Sequence, residues 1–302
     1  MGYGSWDDNK FKTYTVKTKM GTFDRSGYFK SSMSNQEMFK SRSLDPKLDP
    51  HGVIRECKDS DEHPNTIPVI LALDVTGSMG DAAVECAKSL NVIMTELYNS
   101  IKDVEFLIMG IGDFYCDRFP VQASQFESDI RIAEQLDLLY FEFGGGGNDF
   151  ESYSAAWWFG LHHTSLDCIK RGKKGIIITI GDETLNPYIP ITGSKTNFME
   201  VLGDSMQENI DTVTLYKEAS KMFNIHHIDV NHSQTVRDSI WTQQISDSFK
   251  LLGEHFHRGS ISEIKDIIIG IISSENSSFV QPLSPVLSTP ESSFNSNGEI
   301  TW

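Results

Sequence analysis

Ile67-Pro68-Val69-Ile70-Leu71-Ala72-Leu73-Asp74-Val75-Thr76-Gly77-Ser78-Met79-Gly80 is the stretch on which the reading of this chain turns. An unbroken apolar run of this length reads as a strand covered on both faces. It ends in a carboxylate followed by two hydroxyls at alternate positions, with glycines that let the backbone turn tightly. From residue 81 to residue 100 the apolar residues recur at intervals of three and four, the period of a helix. The order is strand, polar turn, helix.

The same order repeats along the chain. Residues 104–111 read as a second buried strand, 120–126 as a short antiparallel edge strand, and 129–140 as a helix. A glycine run then leads into an amphipathic helix over 151–164. Apolar strands over 175–180 and 223–230 follow, then a further stretch at 246–252, a short strand near 255–257 and a helix over 261–272. Such alternation predicts an α/β fold, a doubly wound and mostly parallel sheet with helices on both faces, whose function sits at the carboxyl ends of its strands. Residues 1–65 are expected to form an N-terminal arm, 66–272 the α/β domain and 273–302 a flexible tail dense in Ser, Pro and Asn.

Composition narrows the function. The chain has 302 residues and a formal charge of -16, and residues 1–50 hold 9 Lys or Arg against 6 Asp or Glu, so the acid is concentrated in the rest. A field of that sign repels a phosphate backbone, which argues against nucleic acid as a partner. No apolar run approaches the ~20 residues of a membrane span. Met1-Gly2-Tyr3-Gly4-Ser5-Trp6 has no signal-peptide core and puts Trp6 where a myristoylation motif takes Ser or Thr, so a cytoplasmic chain is expected. Cys57, Cys86, Cys116 and Cys168 form no C-x-x-C pair, which suggests neither disulfides nor a zinc ribbon; Cys86 shares a helical face with Leu90, Ile93 and Leu97.

Three loops carry the oxygen donors. Asp74, Thr76 and Ser78 follow the first strand, and Asp182 in Ile180-Gly181-Asp182-Glu183-Thr184 follows the third apolar strand. Between them Gly144-Gly145-Gly146-Gly147-Asn148-Asp149-Phe150-Glu151 opens a helix, where Asn148 or Asp149 can reach a metal or cap the helix. Hard oxygen donors suit Mg²⁺, with Mn²⁺ or Ca²⁺ as the other ions such a set admits, and suit zinc poorly. A capped strand-to-helix turn would use the hydroxyls too. Asp113 in Gly110-Ile111-Gly112-Asp113 also lies at a strand's end and reads as a solvated loop acid. His226, His227, Asp229 and His232 bunch around the fourth strand, but alternation sends His226 and His227 to opposite faces, which favours ordinary histidines over one transition-metal site. Asp229, Asn231 and His232 should lie near the sheet edge that carries Asp74 and could line a partner-binding rim there.

As a set, these loops resemble the von Willebrand factor type A family, in its soluble intracellular bacterial and phage form. Asp74, Thr76 and Ser78 match the Asp-x-Ser-x-Ser loop of the family's metal-ion-dependent adhesion site, Asn148 the donor in its Gly-rich loop, and Asp182 its later Asp. The resemblance implies a Rossmann-like sheet and a protein-interaction module. In it the hydroxyls bind the ion, the Asp groups hold its waters, and a protein partner supplies a carboxylate. Relatives of this kind serve AAA-type ATPases or larger assemblies. A second reading starts from Asp74-Val75-Thr76-Gly77-Ser78, which resembles the nucleophile loop of haloacid-dehalogenase-type phosphotransferases, with Asp74 attacking phosphorus beside Mg²⁺. Against it stand the helix that begins directly after Met79, leaving no room for the flap such enzymes carry, and a glycine loop that the mechanism does not use.

Overall fold

The computed structural model describes residues 4–18, 22–23, 29–30, 37, 39–142, 150–231 and 239–277. Six strands form its main sheet: β1 (Ile67–Asp74), β2 (Val104–Ile111), β3 (Val121–Glu127), β4 (Gly175–Gly181), β5 (Phe223–Asn231) and β6 (Phe256–Ser260). Their order across the sheet is β6-β5-β4-β1-β2-β3. All neighbours run parallel except β2 and β3, which are antiparallel, so the one reversed strand sits at an edge. This is the doubly wound α/β arrangement that the alternation predicts. Every residue of β1, β2 and β4 is buried, because helices cover both faces of a parallel sheet.

The pleat divides the apolar residues into two cores. Val69, Leu71 and Leu73 of β1 with Ile176, Ile178 and Ile180 of β4 face one side, where helices Gly80–Ser100 and Ile264–Ser277 pack against each other. Ile70, Ala72 and Ile177 face the other, beneath helices Ser154–His162 and Thr212–Ala219. Alternate side chains of one strand therefore serve opposite cores. Between β1 and β4 the winding reverses: the chain leaves β1 toward β2 and leaves β4 toward β5. In open parallel sheets that reversal opens a crevice at the carboxyl ends of the two strands.

Several elements differ from expectation. The helix expected over 151–164 is Ser154–His162, and instead of two faces it has Ala155, Ala156, Trp157, Trp158, Phe159 and Gly160 all buried. It lies between the sheet and Thr212–Ala219, so only its last two residues, Leu161 and His162, reach solvent. The helix expected over 129–140 shortens to Arg131–Leu136. Residues 1–50 keep no clear period, yet Asp8–Thr18 is helical, with Phe11 buried in the core. Trp6 Nε1 donates to Asn91 Oδ1 at 3.0 Å and Tyr14 donates to Asp137, so tertiary contacts fasten a helix with weak amphipathicity of its own. Farther along, Arg55–Cys57 pairs with Thr164–Leu166, and Arg55 Nη2 donates to the carbonyls of Lys47, Asp49 and Ala123. At the other end, Ile264–Ser277 continues past residue 272; the rest of the expected tail, 278–302, lies outside the described residues.

Candidate metal centre

Asp74 is the last residue of β1 and is wholly buried at the crevice. Its Oδ1 accepts from the Thr76 backbone N–H at 2.8 Å and from Thr76 Oγ1 at 2.6 Å; its Oδ2 accepts from the Tyr153 hydroxyl at 2.9 Å. Burial, and next the charge of Asp182, push the Asp74 carboxyl up to about 7. Thr76, itself buried, belongs to the turn that the first sequence stretch describes. Asp182, directly beyond β4, is buried. The crevice thus brings Asp74, Thr76 and Asp182 together. Ser78 stands in the short helical turn Gly77–Met79, with its side chain outside the described residues, and Asn148 lies outside them together with Gly144–Gly147 and Asp149.

The far end of the glycine run is described, and it returns to the same place. Phe150–Glu151 pairs in parallel with Thr184–Leu185, two residues after Asp182, and the Asn186 N–H donates to the Glu151 carbonyl at 3.1 Å. Glu151 is buried, and desolvation followed by the charges of Asp74, Asp117, Asp113 and Glu183 hold its carboxyl well above the usual range. Among the described residues its Oε2 meets no hydrogen-bond donor. Leaving a buried polar atom unsatisfied costs about 1–3 kcal/mol, so a cation nearby would offset a real penalty.

A second set of acids borders the first. Asp113, expected as a solvated loop acid, is buried. Its Oδ1 accepts from the Tyr115 N–H at 3.0 Å and from Ser152 Oγ at 3.3 Å, and its own N–H donates to Asp117 Oδ2 at 2.7 Å. Desolvation, then a hydrogen bond shared with Glu142, push Asp117 up to about 8. Glu142 is fixed beside the Asp74 loop, its N–H donating to the Val75 carbonyl at 3.1 Å, with Lys195 Nζ 3.7 Å from its Oε2. Asp229, expected near a partner-binding rim, is instead fully buried and accepts from Arg258 Nε at 2.6 Å; His232 lies outside the described residues.

Sequence reasoning missed Tyr153, Glu151, Asp117 and Glu142 as parts of this centre. One signal for Tyr153 was present. A Cβ on Gly181 would overlap the Tyr153 hydroxyl, so the glycine before Asp182 is what admits the phenol to Asp74. Similarly a Cβ on Gly112 would overlap the Asp117 carboxylate. Glycines that end a buried strand beside an acid thus mark where another side chain closes in.

No family model and no curated protein matches the chain. Solved structures overlay on it at low identity. The pilus adhesin SpaC from Lactobacillus rhamnosus GG, in its open conformation, aligns with a TM-score of 0.47 and 13% identity, covering 74% of this chain and 31% of SpaC. The chain therefore spans about a third of that adhesin's length. The vWF domain of the type V pili tip protein Mfa5 from Porphyromonas gingivalis aligns with a TM-score of 0.45 and 11% identity over 72% of this chain and 98% of that one. The conserved hypothetical protein BatB from Bacteroides thetaiotaomicron gives 0.40 and 15% over 70% and 99%. The doubly wound fold itself rests on the strand order and register given above. Among the described residues no helix is long and apolar enough to cross a membrane.

Proposed function

We propose that the chain is a protein-interaction module of the von Willebrand factor A type that takes a carboxylate of a partner protein on a divalent cation, Mg²⁺ first. The observation that carries this is the buried Asp74 carboxyl facing the charge of Asp182 where the sheet's winding reverses. Two acids so placed, with a buried Glu151 oxygen nearby that meets no donor among the described residues, fit a hard cation that would neutralise them. Thr76 and Ser78 would hold the ion through their hydroxyls, Asp74 and Asp182 would orient its waters, and Asn148 would complete the shell. Bound there, the ion would supply an open coordination position for an incoming carboxylate. Tyr153 and the Thr76 N–H hold the Asp74 carboxylate in one orientation.

The same acids make the ion indispensable to such binding. Without it, Asp74, Asp117 and Glu151, held toward their protonated forms by burial, offer a partner's carboxylate no positive charge, and the ionised acids beside them repel it. A AAA-type ATPase or a component of a larger assembly is the partner this reading favours. The phosphotransferase reading draws no support from the site. Asp74 is buried rather than open to a substrate, and helix Gly80–Ser100 starts directly after Met79, which leaves no room for the flap such enzymes carry.

The test is capture of partner protein by the full chain with Mg²⁺, with EDTA, and with Asp74→Ala, beside a turnover assay on phosphomonoesters. Capture only with Mg²⁺ and intact Asp74 is expected, with no turnover. Capture indifferent to both, or hydrolysis that Asp74→Asn abolishes, would overturn the reading.

A further inference from the structure

Away from the crevice, three histidines and a glutamate converge at the β6 edge. His226 is in the first half of β5, opposite Ile178 of β4, while Asp229 is opposite Gly181, so the cluster sits about 10 Å down the strand from the level of Gly181, the residue before Asp182. Its face is that of Ile228 and Val230, under helix Ile264–Ser277; His227 points to the other core, stacked on Phe249. His226 Nε2 is 3.0 Å from Glu275 Oε1, and His255 Nε2 is 4.0 Å from the same oxygen. One ligand atom from each of His226, His255 and Glu275 lies within 4.8 Å of the other two. They border an open cavity of about 570 Å³ that His257 and Glu254 also line.

We propose that His226, His255 and Glu275 form a zinc-binding site, separate from the acidic crevice and chemically unlike it. Two imidazole nitrogens and one carboxylate oxygen are the donor set of open three-residue zinc sites, with the cavity leaving room for water or a fourth ligand. Mg²⁺, which takes oxygen donors, is excluded by the same set. The surroundings orient these ligands. His226 Nδ1 is 3.1 Å from His257 Nε2, so with zinc bound the ring proton would sit on Nδ1 and be donated to His257, and Nε2, which otherwise donates to Glu275, would turn its lone pair to the ion. The second oxygen of Glu275 accepts from Asn224 Nδ2, which fixes the carboxylate.

Glu275 also lies in the last described turn of Ile264–Ser277, which has no basic residue. A carboxylate at a helix C-terminus meets the negative end of the helix dipole, an arrangement that a cation reverses. Zinc there would tie the end of that helix to the sheet edge through residues from three separate elements. That coupling gives the site a structural consequence.

The test uses the full chain, stripped with a chelator and dialysed, then titrated with Zn²⁺ in competition with a chromophoric chelator under excess Mg²⁺. Co²⁺ is titrated in parallel for its visible d–d absorption. About one equivalent of tight zinc is expected, with a Co²⁺ band of low-symmetry, nitrogen-containing coordination. His255→Ala, at a partly exposed ring, and Glu275→Gln should each raise the Kd for zinc about tenfold or more, with circular dichroism unchanged. Asp74→Ala should leave zinc affinity intact. Absence of zinc binding, affinity unmoved by both His255→Ala and Glu275→Gln, or zinc lost in Asp74→Ala instead, would each overturn the proposal.

Discussion

At the carboxyl ends of β1, β2 and β4, burial pushes acids upward: Asp74 to about 7, Asp117 to about 8, and Glu151 well above its usual range. At the β6 edge the same burial pushes bases downward, His226 below its ordinary value and His257 to about 4. Desolvation disfavours whichever form carries charge. Both regions are driven toward neutrality, yet the consequences differ: a neutral acid keeps a proton, while a neutral imidazole offers a lone pair. On the proposals above, the first region would take a hard cation able to displace protons from oxygen, and the second a borderline cation that seeks nitrogen.

The largest expected effect is the pH dependence of the acidic region. The Asp117 carboxyl is raised from 3.8 to about 8 on folding, so between those values the folded state keeps a proton that the unfolded chain has lost. Stability then falls as pH rises through that window, by on the order of 5 kcal/mol for such a group. Urea unfolding at several pH values in EDTA should show this slope, and Asp117→Asn should reduce it, with Asp74 and Glu151 supplying the remainder. A slope unchanged by the substitution would assign the effect to other acids.

Next in size is the contact that closes the crevice. Gly181→Ala would drive a methyl group into the Tyr153 hydroxyl and should cost about 1–3 kcal/mol. Tyr153→Phe removes the donor to Asp74 Oδ2 and leaves a buried acceptor short of a partner, at a cost of about 1–3 kcal/mol, and Mg²⁺ should recover part of that loss. Equal losses with and without Mg²⁺ would separate Tyr153 from the metal centre. Smaller again is the stabilisation by Mg²⁺ itself. At ten times its Kd the ion should add about 1.4 kcal/mol, seen as a rise in Tm. Asp74→Ala should abolish that rise while Glu275→Gln keeps it, and any exchange of these two outcomes would break the contrast between the regions. The smallest effect concerns the rim: Lys195→Ala, removing a half-exposed cation from Glu142, should change stability by about 0.5 kcal/mol or less.

Much of the architecture was legible because its signals are local. An apolar run followed by a three-and-four period specifies strand then helix wherever it occurs, and strand ends place Asp74 and Asp182 without reference to distant residues. Less legible were elements whose character depends on neighbours. Ser154–His162 loses its wet face to Thr212–Ala219, and Asp8–Thr18 is fastened by contacts with Asn91 and Asp137. Asp113 was read as solvated because a loop acid usually is; the turn back to Asp117 and the approach of Ser152 enclose it.

For function, the residue types alone determined that hard oxygen donors end two strands, since hydroxyls and carboxylates keep their chemistry in any fold. Which groups meet was decided by tertiary structure. Tyr153 reaches Asp74 across 79 positions of chain, and His226 meets His257 across 31 and Glu275 across 49. Alternation correctly sent His226 and His227 to opposite faces, but it could not show that β6 and the helix after it bring partners to His226. Periodicity tells which face a side chain occupies; only strand order and helix packing tell what waits there.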